Sequence, residues 1–214
     1  MPNTKKELHF FDREDENTDY KKYHANFKPK PKQRVIGEAS PMYMYWETAP
    51  YRIWKYNPKM KWILALRNPV ERAFSAWNME TKRGKEKLPF AEAIETEAER
   101  CREVLPLQHR VYSYVDRGFY AHQVRRLFKI FGARNVLILL SEELRSDHKK
   151  TLRRVFEFLD VDSSFVPPEA SVFEQEYSGK IDNQLRSRLI DIFQFDIKEL
   201  ERMLGKDLSR WYAK

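Results

Sequence analysis

The chain has 214 residues, 42% of them hydrophobic and 14% aromatic, which is enough for one domain with a packed core. Forty basic residues against 32 acidic ones give a net charge of +8, and the mean hydropathy is −0.75. These values predict a water-soluble chain that favours anionic partners, and no apolar run approaches the roughly 20 residues of a membrane span.

The opening segment "MPNTKKELHFFDRED" lacks the apolar core of a secretory signal peptide, so the expected location is cytoplasmic. Cys101 is the single cysteine, which excludes an intrachain disulfide framework and suits a reducing compartment. The five histidines are scattered without ligand spacing, so no metal site is expected. "KPKPKQR" (28–34) is the one strong basic cluster, and its prolines predict an extended surface segment that serves either as a solvated linker or as an anion contact. A nucleic-acid-binding module is the reading that charge alone suggests. No helix-turn-helix, zinc-finger or RNA-recognition signature supports it.

In chain order, "RVIGEAS" (34–40) reads as a short strand and "ETAPYRIWKY" (47–56) as a helix closed by Asn57-Pro58. "KWILALR" (61–67) is a continuous apolar run, as in a strand buried on both faces of a parallel sheet. "PVERAFSAWNMETKRG" (69–84) reads as a helix with Pro69 in its first turn and Gly84 as its stop. Helices are also expected over 90–101 and most of 108–132, with a break near Gly118. "NVLILLSEEL" (135–144) holds a further buried strand. "SDHKKTLRRVFEFLDV" (146–161) reads as a helix capped by Ser146, with an apolar stripe at Leu152, Val155, Phe156 and Leu159. Residues 160–181 read as a long functional loop, and two helical stretches, near 182–193 and 195–204, close the chain. Alternating strands and helices without an internal repeat predict a single α/β domain over residues 1–214, with a mainly parallel sheet.

In open α/β sheets, ligands bind beyond the carboxyl ends of the strands. Arg67 lies at such an end, and Ser75 lies eight residues later, about two turns into the next helix. A guanidinium and a hydroxyl there suit a phosphate group. The same two residues also fit a structural ion pair and an ordinary helix position. Glu71 and Arg72 read as helix ion pairs.

Four segments carry a resemblance to the PAPS-dependent sulfotransferases, in particular the branch of heparan sulfate and bacterial nodulation-type enzymes. "LRNPVERAFSAW" (66–77) is similar to that family's 3′-phosphate-binding strand and helix, "KKELHFFD" (5–12) to its acidic segment, "GEASPMYMY" (37–45) to the acceptor-lining segment, and "YSGKIDNQL" (177–185) to the late loop over the nucleotide. The stretches 138–161 and 204–211 also follow the family pattern.

The resemblance implies a P-loop-nucleotide-kinase-like parallel sheet flanked by helices. It implies transfer of a sulfuryl group from PAPS (3′-phosphoadenosine 5′-phosphosulfate) to a hydroxyl or amine, on a carbohydrate or small alcohol, without a metal. By the same match Arg67 and Ser75 grip the 3′-phosphate, with Gly179 and Lys180 at further phosphate positions. Glu7 is the catalytic base and Glu38 contacts the acceptor. His9 assists Glu7, sharing its face if the segment is extended. Tyr177 is a weak candidate to pack on the adenine.

The sequence departs from the family in two places. The Gly/Ser/Thr-rich phosphosulfate loop expected ahead of the acidic segment has no counterpart, and the six glycines form no such cluster. The expectation is a chain lacking its N-terminal strand and loop, weakly active or inactive alone. The alternative is a non-catalytic relative that keeps the fold. Ala39 stands where relatives acting on heparan sulfate carry a lysine, which argues away from a heparan-like acceptor.

Overall fold

The structure is a computed structural model and describes residues 2, 6–14, 19–165, 167 and 179–213. It divides into two compact units, Met1–Leu66 with Arg125–Glu169, and Arg67–Val124 with Ala170–Lys214.

The first unit holds the sheet. Strand β1 (Trp62–Leu66) pairs in parallel with β2 (Val136–Leu140), and the register runs from Trp62 opposite Val136 to Leu66 opposite Leu140. Burial alternates along β1: Trp62, Leu64 and Leu66 are buried, whereas Ile63 and Ala65 are exposed. This corrects the expectation of a strand buried on both faces. The run is apolar throughout, but only one face meets the core.

Residues 34–40 form no strand. Val35 and Ile36 are 42% and 50% exposed, and without a neighbouring ladder an apolar pair is too short to make one. The helices of this unit are α1 (Tyr20–His24), α2 (Met42–Tyr45), α3 (Ala49–Tyr56), α8 (Ser141–Ser146) and α9 (His148–Leu159). Asp147, not Ser146, caps α9, because its carboxylate accepts from Lys150 N at 3.0 Å. The apolar stripe of α9 is half-buried, and Thr151 is its one fully buried residue. An aromatic cluster of Phe10, Phe11, Tyr23, Tyr43 and Tyr56 fills the core around the first described residues.

The second unit is helical. Helix α4 (Pro69–Lys82) follows β1 directly, and its apolar side contributes Val70, Ala73, Phe74 and Trp77. The stretch 90–101 splits at Thr96 into α5 (Phe90–Glu95) and α6 (Glu97–Arg102). The expected helix over 108–132 is confined to α7 (Tyr120–Phe131), preceded by a 3₁₀ turn at Asp116–Gly118; the boundary between the units falls inside α7. Asp196 explains how α7 starts, since both its carboxylate oxygens accept from Ala121 N at 3.1 Å. One helix, α10 (Asn183–Leu204), replaces the two stretches expected near the C-terminus. Its continuous inner face of Leu189, Phe193, Ile197 and Leu200 runs through the region where a break was expected.

Gly118 lies where α10 comes close. A Cβ there would sit 2.6 Å from Phe193 Cε1 and 3.1 Å from Pro69 Cβ. Gly118→Ala should therefore cost about 1–3 kcal/mol by overpacking. Thermal or urea denaturation should show a lowered midpoint, and an unchanged midpoint would mean that Phe193 moves aside freely.

Candidate active site

In the first unit, Glu7, His9 and Asp12 come together at a tight turn. His9 Nδ1 lies 3.0 Å from Asp12 Oδ2, and His9 Nε2 lies 3.4 Å from Glu7 Oε2. The segment is not extended as the sequence suggested. His9 has φ 57°, in the left-handed region, at a cost of roughly 1–2 kcal/mol. That kink turns the ring between the two carboxylates, while Phe10 and Phe11 point into the aromatic core.

The chemistry of the arrangement is restrictive. A neutral imidazole has one N–H and one lone pair, so it satisfies only one of two flanking carboxylates. Asp12, which is fully buried, holds one side of the ring, and Glu7 faces the other. The sequence reading left Asp12 out; its spacing from His9, three residues across a Phe-Phe pair, was the available signal.

Glu38 lies in the same unit, in the non-strand segment ahead of α2. Tyr23 Oη donates to its Oε1 at 3.3 Å, and Tyr43 also hydrogen-bonds to the carboxyl group. Tyr43 Oη in turn accepts from Phe10 N at 3.0 Å, so it ties Glu38 to the turn that carries His9. Burial raises the Glu38 pKa above its ordinary 4.5, with Asp12 adding repulsion, against the opposing effects of the two tyrosines and His9. Burial likewise holds the Tyr23 and Tyr43 hydroxyls protonated, above the usual range.

The second unit holds the phosphate candidates. Arg67 follows β1, and its backbone is fixed: Tyr120 Oη donates to Arg67 O at 3.0 Å, and burial raises the Tyr120 pKa, which keeps that donor protonated. Asn68 caps α4, accepting from Val70 N and Glu71 N, and its amide donates to Trp211 O at 3.3 Å. The Arg67 side chain keeps 24% exposure and lies 3.7 Å from Glu71 Oε2. Arg72 instead turns inward and donates to the carbonyl of Tyr114. Ser75 is half-buried in mid-α4. Gly179 has φ 96° with open space where a Cβ would lie, and Lys180 beside it is exposed, so both are available to an anion. Tyr177 lies outside the described residues.

A raised carboxyl pKa has a definite sign for stability. As pH climbs through the ordinary carboxylate range, the unfolded chain ionises Glu38 while the folded chain resists, so the folded state loses ground. Glu38→Gln removes that loss. The gap in melting temperature between variant and parent should widen in the variant's favour from pH 4 to pH 7. A gap independent of pH would show that the group titrates normally.

A family model described as a sulfotransferase domain matches residues 5–187. Among curated proteins, a mouse (Mus musculus) bifunctional heparan sulfate N-deacetylase/N-sulfotransferase 4 is 28% identical over 185 residues, which cover 82% of this chain and 20% of that protein. A mouse heparan sulfate glucosamine 3-O-sulfotransferase 5 is 28% identical over 180 residues, covering 81% of this chain and 48% of its own length. The chain thus spans from a fifth to about half of these relatives. A crystal structure of a sulfotransferase from Alicyclobacillus acidocaldarius superposes with a TM-score of 0.85 at 32% identity, covering 99% of this chain and 87% of that one. Among the described residues no helix is long and apolar enough to cross a membrane. Matched over most of its length in sequence and over nearly all of it in fold, the chain belongs to the sulfotransferase domain family, and its architecture is the α/β fold of that family.

Proposed function

We propose that this sulfotransferase takes its sulfuryl group from PAPS and delivers it to a hydroxyl or amine on a carbohydrate. The observation that carries this reading is Arg67: a part-exposed guanidinium at the carboxyl end of β1, with its backbone clamped by Tyr120 and Asn68, in a chain of this family. The named activities of the heparan sulfate relatives, one on nitrogen and one on a 3-hydroxyl, support a glycan acceptor and leave the accepting atom open.

On this reading Arg67 and Ser75 bind the donor's 3′-phosphate, with Gly179 and Lys180 supplying an open backbone and a second cation. The donor brings an activated sulfuryl group. The sulfur–oxygen bond to its 5′-phosphate breaks as a bond from the acceptor oxygen or nitrogen forms. Glu7 receives the proton that the acceptor releases. His9 orients Glu7 and shares the proton, with Asp12 holding the ring. Glu38, its pKa raised by its buried site, contacts the acceptor. Positioning and charge stabilisation supply the rate, as in phosphoryl transfer.

Calorimetric titration tests the donor site without an acceptor. PAP, the desulfated product, should bind more tightly than AMP by about 1.5–3 kcal/mol, the value of a charge-assisted hydrogen bond to the extra phosphate. Equal affinities would remove Arg67 and Ser75 from the site. For the base, Glu7→Gln keeps the shape and abolishes proton uptake. In the chain, or in a longer form that carries the phosphosulfate loop if this chain alone is inactive, turnover with a glycan acceptor should fall by roughly 10²–10⁴ with PAP binding unchanged. Near-parental turnover would exclude Glu7 from the reaction.

A further inference from the structure

Glu71 stands between two guanidiniums. Its Oε1 accepts from Arg186 Nη2 at 2.5 Å, and its Oε2 lies 3.7 Å from Arg67 Nη2. Arg67 precedes α4, Glu71 is in the first turn of α4, and Arg186 is in the first turn of α10. None of the three is buried: their side chains keep 24%, 32% and 38% exposure.

A plain clip between helices needs one cation for one anion. Here one carboxylate engages two guanidiniums through different oxygens, and all three side chains keep access to solvent. Each guanidinium presents its N–H donors in a planar fork, a geometry that suits phosphate as well as carboxylate oxygens. A carboxylate that engages two arginines through its two oxygens marks a spacing that the oxygens of one phosphate also span. The position of Arg186 is not accidental either. Asp182 caps α10, accepting from Gln184 N at 2.9 Å and Leu185 N at 3.1 Å, and its carbonyl accepts from Arg186 N at 2.8 Å. This fixes the start of the helix just after Gly179 and Lys180.

Resting on the donor site proposed at Arg67, we propose that Arg186 is a further ligand of the donor's 3′-phosphate. Glu71 is the counter-ion that keeps the two guanidiniums facing one anion until the phosphate takes its place. The exchange swaps one hydrogen-bond acceptor for another and makes no covalent bond. Arg188, two residues on, pairs with Glu95 and has no part in it.

Titration of PAP and AMP into the parent chain and into R186M, R186K and R188M tests this. R186M should lose roughly ten-fold or more in PAP affinity with AMP affinity unchanged. R186K should recover part of the loss, since lysine restores the charge without the fork. R188M should match the parent. A parental PAP-to-AMP ratio in R186M overturns the inference, as does a loss shared equally by both nucleotides, or an equal loss in R188M. Should R186M fail to fold by circular dichroism, R186K decides: its ratio must fall below the parent's, and an unchanged ratio overturns the inference. A parent chain that does not prefer PAP overturns the donor-site reading together with this one. A parental preference that survives in R186M overturns this one alone.

Discussion

The turn from Leu66 to Pro69 is the constraint around which the candidate donor site is organised. Two residues, Arg67 and Asn68, carry an apolar strand into a 14-residue helix, and hydrogen bonds hold the Arg67 carbonyl and the Asn68 side chain. The Arg67 carbonyl accepts from Tyr120. The Asn68 side chain caps α4 with its oxygen and donates from its nitrogen to Trp211 O. Pro69 presets the first helical φ and needs no hydrogen-bond acceptor for a missing N–H. The Arg67 backbone is thus held at its carbonyl, while its side chain keeps 24% exposure. A cation held this way loses less entropy when an anion arrives than one on a mobile loop.

The acidic turn in the first unit is organised differently. Its energy goes into polar groups that are costly to bury. Asp12 is fully buried, Glu38 is raised by burial, and His9 is in a backbone conformation that non-glycine residues avoid. The aromatic cluster offsets these costs, and Tyr43 links the two by binding both the Phe10 amide and the Glu38 carboxyl. Backbone strain beside a carboxyl group raised by burial is the kind of setting in which functional groups tend to gather. Ala39, beside Glu38, removes a cation that heparan-directed relatives were expected to carry, although heparan sulfate enzymes are among the curated proteins this chain resembles. The overall likeness to these proteins and the difference at residue 39 are compatible, because a family match over most of the chain does not depend on one position.

What the sequence determined by itself was local. The apolar run 62–66 and the run 136–140 specify strands, since continuous β-branched and leucine-rich stretches bounded by turn residues have few alternatives. Asn68-Pro69 marks the start of α4 and Gly84 its approximate end, because capping and the proline ring act within a few residues. The ordered set of motifs pointed to the family, and the family match and the fold agree. What required tertiary structure was everything set by a distant partner. Residues 34–40 have strand composition but no neighbour to pair with, so they stay irregular. Ile63 is as apolar as Leu64 yet exposed, because only packing selects a face. Thr96 divides a stretch whose periodicity is unbroken, and Asp196 starts α7 from 75 residues away. Asp12 and Arg186 escaped the sequence reading for the same reason. The first matters through a kink at His9 that no propensity favours, and the second through a carboxylate 115 residues distant. Propensity and capping are short-range and additive along the chain, whereas ion pairs, burial and backbone strain are fixed only when separate segments meet.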